Sequence, residues 1–300
     1  VEIRQVRYFL AVVDNGGVVS AATALGSTSS SVSQGVRALE RTLGAELFHR
    51  VGRGMVLTSA GQSFVGPARR VVRSATAAEL APLASGTQVA GRLDILASAY
   101  VSVHPVAELV GAFRRSYPAV TVRMGSLSEG DDPAALLRQG HCELVFSHLP
   151  VMASGLTART LGQLDYVLVA PPDAELPPTS RLALAELPDL PLLLVPRTAP
   201  MRVQIEEALH AAGKRTRVAV VTHHRESLDS LVLSGVGATF MERSSAAYLG
   251  ERGAQVRDLI PPVRRAHGVV YDPAHLSAAG AAFLERALAS TDGAESGPDT

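Results

Sequence analysis

The 300 residues predict a multidomain chain with an all-α winged helix-turn-helix N-terminal head, a long linker helix and a two-lobed α/β body. Three observations predict it. Residues 25–57 hold the end of a short helix, a tight turn, an amphipathic helix and a Gly-Arg-Gly hairpin. Residues 59–84 carry an apolar stripe at helical spacing, and from residue 92 short β-rich runs alternate with helical ones. An apolar content of 47% over this length is enough for two or three cores.

In the head, Ile3, Val6, Phe9, Leu10 and Val13 recur at helical spacing and predict a first helix ending near Asn15-Gly16-Gly17. A second helix, VVSAATAL (18–25), is too short to stand alone, and Ala21 and Ala22 let a neighbour approach closely. Gly26-Ser27-Thr28 makes the turn, with Thr28 or Ser29 placed to cap the next helix. In that third helix (29–43), Val32, Val36, Leu39 and Leu43 form the inward stripe, while Ser30, Ser33, Gln34, Arg37 and Arg41 occupy the opposite arc. Hydroxyls, amides and guanidiniums suit base edges and phosphates. For one helix a merely solvated face is the plain alternative, but three helices followed by a wing favour nucleic acid. The wing is read from residues 47–50 and 55–57 flanking Val51-Gly52-Arg53-Gly54, with Arg53 at a tip that a minor groove can admit.

After Thr58, a helix from 59 to about 84 repeats Phe64, Ala68, Val71, Ala75 and Ala78, a stripe that calls for a second helix, most simply its own copy in a dimer. Pro67 predicts a bend there. Residues 85–91 read as a hinge. Strands are then expected at 92–97, 120–126, 143–148, 164–170, 190–196, 217–222, 237–242 and 267–272, with helices at 103–116, 131–139, 200–211, 224–234 and 277–289. Such alternation predicts mainly parallel sheets covered by helices. Residues 291–300 are rich in Gly, Ser, Pro and acid and predict a disordered tail.

The formal net charge is zero, but residues 1–88 hold nine arginines against five acids, net +4, leaving −4 on the rest. A basic head on an acidic body is the pattern of a DNA-binding module fused to something else. The single cysteine, Cys142, excludes an intramolecular disulfide and fits a reducing cytosol. The N-terminus does not resemble a signal peptide and no apolar run is long enough to span a membrane, so a cytoplasmic protein is expected. No nucleophile elbow, phosphate loop, dinucleotide fingerprint or zinc-protease motif occurs, which points away from an enzyme and from any cofactor. His141-Cys142-Glu143 with His148 holds metal-binding residue types, but neighbours along a strand face opposite sides, so no metal site is expected.

The segments IRQVRYFLAVVDNG (3–16), SAATAL (20–25), VSQGVRALERTLGAELFHR (32–50) and LTSAG (57–61) resemble, in order and without gaps, the N-terminal domain of the LysR-type transcriptional regulators. Two features depart from that pattern: Ser27 stands where an apolar turn residue is usual, and Ser29-Ser30 stand where a glutamine often opens the recognition helix. Operator sequence is therefore not transferable from relatives. DNA contacts are expected from Ser29, Ser30, Ser33, Gln34, Arg37, Arg50 and Arg53. The body also resembles that family's effector domain, two lobes joined by two crossovers and similar to periplasmic solute-binding proteins. Its cues are FRRSYP (113–118), LLRQGHCEL (136–144), SGVG (234–237) and LSAA (276–279). The expected domains are a DNA-binding head at 1–58, a dimerisation helix and hinge at 59–91, and an effector domain at 92–290. Within it, lobe I takes 92–163 and 267–290, lobe II takes 164–266, and the crossovers fall near 162–164 and 262–266.

In open α/β sheets ligands gather at the carboxyl ends of strands. That rule marks Ser98, Tyr100, Ser126, Ser147 and His148 in one lobe and Pro196, Arg197, Thr198 and His223 in the other. Hydroxyls with Arg or His suit a carboxylate, and together with the family resemblance they point to a small organic anion. The expected function is a sequence-specific DNA-binding transcriptional regulator controlled by that effector, a homodimer assembling into a homotetramer as the resemblance implies. An enzyme or solute-binding module on the same body, or an interaction protein whose helix-turn-helix binds no DNA, are the rival readings.

Overall fold

The structure, a computed structural model, describes residues 1–51, 54–80, 89–128, 130–151 and 154–292. The head opens with α1 (Ile3–Asn15), which buries Val6, Phe9, Leu10 and Val12 and ends at Gly16 in the left-handed region, while Ile3 stays exposed. Helix α2 (Val18–Ala24) buries Ala21 and Ala22. Helix α3 (Ser29–Leu43) starts where Thr28 Oγ1 accepts the Ser31 N–H at 3.1 Å and stops at Gly44 (φ 68°), so Thr28 is the cap. Val32, Val36 and Leu39 are buried, but Leu43, the last residue of the helix, is exposed. Helices α1 and α3 touch closely at Gly35, where an added Cβ would overlap the Tyr8 ring, 2.9 Å from Cε2.

Strands β1 (Phe48–Val51) and β2 (Gly54–Leu57) pair antiparallel with Phe48 opposite Leu57, which is the wing. Glu40 fixes its entry by accepting the Leu47 N–H at 2.9 Å on Oε1, and Thr58 closes it by donating to the Glu46 carbonyl at 2.7 Å. Helix α4 (Ser59–Leu80) runs through Pro67 without interruption, and Thr58 caps it by accepting the Gly61 N–H at 2.9 Å. Of its predicted stripe, Ala68 is buried against the head, whereas Val71 and Ala78 are exposed. The predicted hinge falls largely on 81–88, outside the described residues, as do the predicted tail from 293 on and Arg53.

The body continues in chain order with β3 (Gly91–Ala97), the single turn α5 (Ala99–Val101), α6 (Ala107–Ser116), β4 (Val120–Ser126), α7 (Pro133–Arg138) and β5 (Leu144–His148). Then come β6 (Thr157–Ala170), β7 (Arg181–Ala183), β8 (Pro191–Leu194), α8 (Pro200–Ala211), β9 (Arg217–Val221) and α9 (Ser227–Leu233). Finally β10 (Thr239–Glu242), α10 (Arg243–Gly250), β11 (Gln255–Tyr271) and α11 (Ala278–Asp292) complete it. The main sheet has the order β10-β6-β11-β5-β3-β4, with β7 alongside β11, and a separate parallel pair β8-β9 lies beside β10.

The sheet is mixed, which corrects the expectation of mainly parallel strands. β3 is parallel to β4 and β5, but β6, β10 and β11 pair antiparallel, as do β11 and β5. The cause lies in two long strands. β6 begins at Thr157 and β11 at Gln255, seven and twelve residues earlier than the apolar runs predicted, because their first halves are polar and exposed or interrupted by Pro261 and Pro262. The two crossovers are thereby one antiparallel ribbon, with Arg264 opposite Asp165, Arg265 opposite Leu164 and His267 opposite Gly162. A core of Leu93, Ile95, Phe113, Phe146, Leu168 and Phe283 fills lobe I and the ribbon, and Val167, Leu193, Leu228 and Leu249 fill the far side of lobe II.

Candidate functional site: a helical DNA-reading face and an interlobe cavity

Because the head's core takes Val32, Val36 and Leu39, the other face of α3 is left outward. Ser29, Ser30, Gln34, Arg37 and Arg41 are exposed and Ser33 is half-buried. Gln34 Nε2 donates to Ser30 Oγ at 3.3 Å, a weak local bond that a base edge can replace. Arg37 and Arg41 have no carboxylate in ion-pair range among the described residues, whereas Arg7 and Arg69 are held by Glu79 and Asp14 at 2.8 and 2.5 Å. The outward cations of this face are thus available to phosphates. Arg50 lies in β1, with its side chain outside the described residues.

The second site is a cavity of about 840 Å³ between the lobes, a size that suits a small organic molecule. Four strand ends build it: Ser98 and Tyr100 after β3, Ser126 at the end of β4, Ser147 and His148 at the end of β5, and Pro196 and Thr198 after β8. His223 follows β9 and also lines it. Arg197 does not. Its guanidinium turns to the Glu206 carboxylate of α8 at 3.3 Å and the side chain is 76% exposed, so this predicted contact is corrected. Glu206 draws it outward while already holding Arg202 at 3.0 Å.

The strand-end rule missed Tyr166, Arg225 and Arg265, all of which line the cavity. Arg225 lies two residues beyond His223 on the same loop and was within reach of that rule. Tyr166 and Arg265 sit in mid-strand, on β6 and β11, and reach the cavity only through the ribbon, whose pairing joins residues about a hundred positions apart.

The Tyr166 hydroxyl lies 3.2 Å from His148 Nε2, its ring meets Tyr100 edge-on at 6.1 Å, and the Arg225 guanidinium stands 5.4 Å over the Tyr100 ring. Burial, helped by Arg265, His267 and Arg225, lowers the His148 pKa to about 4, so the ring is neutral near pH 7. Burial likewise raises the Tyr166 and Tyr100 hydroxyls, the latter opposed by Arg225. Burial lowers the Arg265 pKa, though an arginine keeps its proton. No ion-pair partner of Arg265 occurs among the described residues. The acids at the rim are occupied: Glu226 pairs with His224 at 3.1 Å, and Asp131 accepts the Ser128 N–H at 2.7 Å. Ser98 Oγ is buried with no hydrogen-bond partner among the described residues. Two arginines face two acids around the cavity, which therefore offers hydroxyl donors, neutral rings and, at Arg265, a guanidinium without an ion-pair partner among the described residues, a set that can hold an anion carrying a flat or apolar body.

Among the described residues no group of three His, Cys, Asp or Glu side chains could hold a metal ion, and no helix is long and apolar enough to cross a membrane.

Comparison with known proteins matches residues 3–62 to the bacterial regulatory helix-turn-helix protein, lysR family, and residues 86–292 to the LysR substrate binding domain. A relative from Mycobacterium avium, named "Probable hydrogen peroxide-inducible genes activator", is 33% identical over 259 residues, 83% of this chain and 80% of its own. The transcriptional regulator IlvR of Caulobacter vibrioides is 29% identical over 282 residues, 90% of this chain and 92% of its own. In fold, the chain is similar to full-length OxyR from Pseudomonas aeruginosa, with a TM-score of 0.71, 20% identity and coverage of 97% and 94%. It is also similar to the LysR-family regulator CbnR in complex with its target DNA, with a TM-score of 0.67, 23% identity and coverage of 97% and 100%.

Proposed function

Because this chain belongs to the LysR family of DNA-binding transcriptional regulators, we propose that a small organic anion in the interlobe cavity controls how it grips its operator. The observation that carries this reading is the set of donors in the cavity. Arg265 and Arg225 line it, His148 is neutral there, and the rim acids are already bonded. Ser98, Ser126, Ser147 and Thr198 supply hydroxyl donors from both lobes, so one anion held among them would draw the lobes together. On the DNA side, Ser29, Ser30, Ser33, Gln34 and Arg37 read or position the duplex, and Arg50 and Arg53 add contacts to it. The domains act as a head at 1–58, a dimerisation linker helix and hinge at 59–91 and a sensor at 92–290, in a homodimer that forms a tetramer in the cytoplasm.

The kinship to a relative named as a probable activator of hydrogen peroxide-inducible genes raises a second reading, thiol oxidation. The only cysteine, Cys142, opposes it. Its side chain is buried and burial pushes the thiol up to about 12, so almost no thiolate is present to attack a peroxide.

Calorimetric titration of the full-length protein with benzoate, phthalate and succinate against benzamide and succinamide tests the proposal. Acids are expected to bind and amides not. Arg265→Ala is expected to weaken binding by about 10- to 100-fold, the loss of one charge-assisted contact, and Arg197→Ala to leave it unchanged. Binding of the amides with no response to any acid contradicts the proposal.

A further inference from the structure

We propose that Arg73 of the linker helix is the positioning residue through which the state of the cavity reaches the DNA-binding head. The proposal rests on the cavity being the effector site. Arg73 is a buried arginine in a helix that is otherwise half exposed. Its Nη2 donates to the Gly140 carbonyl at 3.0 Å and lies 3.4 Å from Asp94 Oδ2, and its Nε lies 3.3 Å from Glu143 Oε1. The Glu143 side chain has no solvent exposure, and its other oxygen accepts the Ser277 N–H at 2.6 Å, just before α11. Arg92 completes the group on Asp94 at 2.8 Å, so two cations and two anions balance. Arg73, Asp94 and Glu143 are buried and tolerate little displacement, because moving one of them strands a charge away from water.

What makes this more than a static clamp is where its anions sit. Asp94 lies on β3, and Glu143 immediately precedes β5. The two strands are parallel neighbours, in register at Ile95 with Leu144 and at Ala97 with Phe146. At their other ends stand Ser98, Ser147 and His148, in the wall of the cavity. About 13 Å of strand, four residues at about 3.3 Å each, thus separates the Arg73 contact from the effector site. The intervening Ile95, Val145 and Phe146 are fully buried, so the strands shift as close-packed units and not residue by residue. On the helix side, one turn before Arg73, Arg69 bonds both Asp14 of the head at 2.5 Å and the Gln139 carbonyl of lobe I at 3.4 Å. The α4 backbone at Gly66 also lies close against Gly140, where a Cβ would stand 3.1 Å from the Gly66 carbonyl oxygen. A displacement of the two strand ends therefore meets α4 at a rigid, charged contact beside its anchor on the head.

A mutant cycle on the full-length protein tests this without any ligand. Ser98→Phe fills the cavity at the end of β3, and Ser147→Phe does so at the end of β5. Arg73→Lys keeps the charge but loses the forked contact, and Asp94→Asn replaces it should that variant fail to fold. Hydrogen exchange is read on the α4 peptides. Independent substitutions this far apart multiply to within about twofold. The expected result is a change of about fivefold or more in α4 exchange on filling the cavity with Arg73 present, shrinking to less than twofold in Arg73→Lys. Equal changes in both backgrounds, or no change in α4 with Arg73 intact, overturn the proposal. The effector reading is judged separately: a coupled cycle beside a calorimeter silent to every acid would remove the effector and leave the coupling.

Discussion

Acidification from pH 7.5 to 5 is expected to destabilise the body through two histidines. Burial is the leading cause of depression for both His148 and His267, whose pKa values fall to about 4 from 6.5. Both rings are neutral in the folded chain and take up a proton on unfolding anywhere below pH 6.5. The unfolded state binds more protons in that window, so their contribution is complete above pH 6.5 and is lost as pH falls from 6.5 towards 4. For an isolated ring with these two values the loss at pH 5 is about 2 kcal/mol, and about 1 kcal/mol after allowance for residual solvent contact. Histidine-selective NMR gives the midpoints directly, with the two resonances assigned by their disappearance in His148→Gln and His267→Gln. Urea unfolding of the body should show each variant closing its stability gap to the parent by about 1 kcal/mol between pH 7.5 and 5. Midpoints at or above 6.5, or a gap that widens on acidification, would refute the burial argument. With it would fall the claim that His148 is neutral in the cavity at pH 7.

Three further outcomes follow from the geometry. Gly35→Ala places a methyl against the Tyr8 ring and should cost about 1–3 kcal/mol in thermal unfolding of the head, most of it recovered by adding Tyr8→Ala. Thr28→Ala removes the α3 cap and should cost about 1 kcal/mol in the same assay. Alkylation by iodoacetamide at pH 8 should leave Cys142 of the native protein unmodified over hours and label it rapidly in urea, since the thiol is buried and protonated.

The head was legible because its signals are local. The stripe Val32, Val36 and Leu39, the Thr28 cap and the glycines at 16 and 44 each act within a turn or two of chain, and α3 follows from them. The same locality exposes where reading fails, since Leu43 fits the stripe but lies past the reach of the core. In the body, the buried halves of β6 and β11 were visible as apolar runs. Their other halves were not, because each is made strand by pairing with the apolar half of the opposite strand, 157–163 with 266–271 and 255–266 with 163–170, and not by composition. The cavity shows the same division. Ser98, Ser126, Ser147, His148 and Thr198 come from a rule about strand ends, whereas Tyr166 and Arg265 depend on the ribbon register. Arg197 has the right residue type at the right position in sequence, but a carboxylate on α8 outcompetes the cavity for it.

Fluorescence anisotropy with the DNA upstream of the chain's own coding region, titrated with salt, tests most directly that the outward face of α3 reads the operator. The account predicts that log K falls linearly with log salt, that Arg37→Ala weakens binding to all sequences and shallows the slope by about 1, and that Gln34→Ala changes the preference among operator variants. Binding indifferent to both substitutions, with the salt slope unaltered, would contradict it.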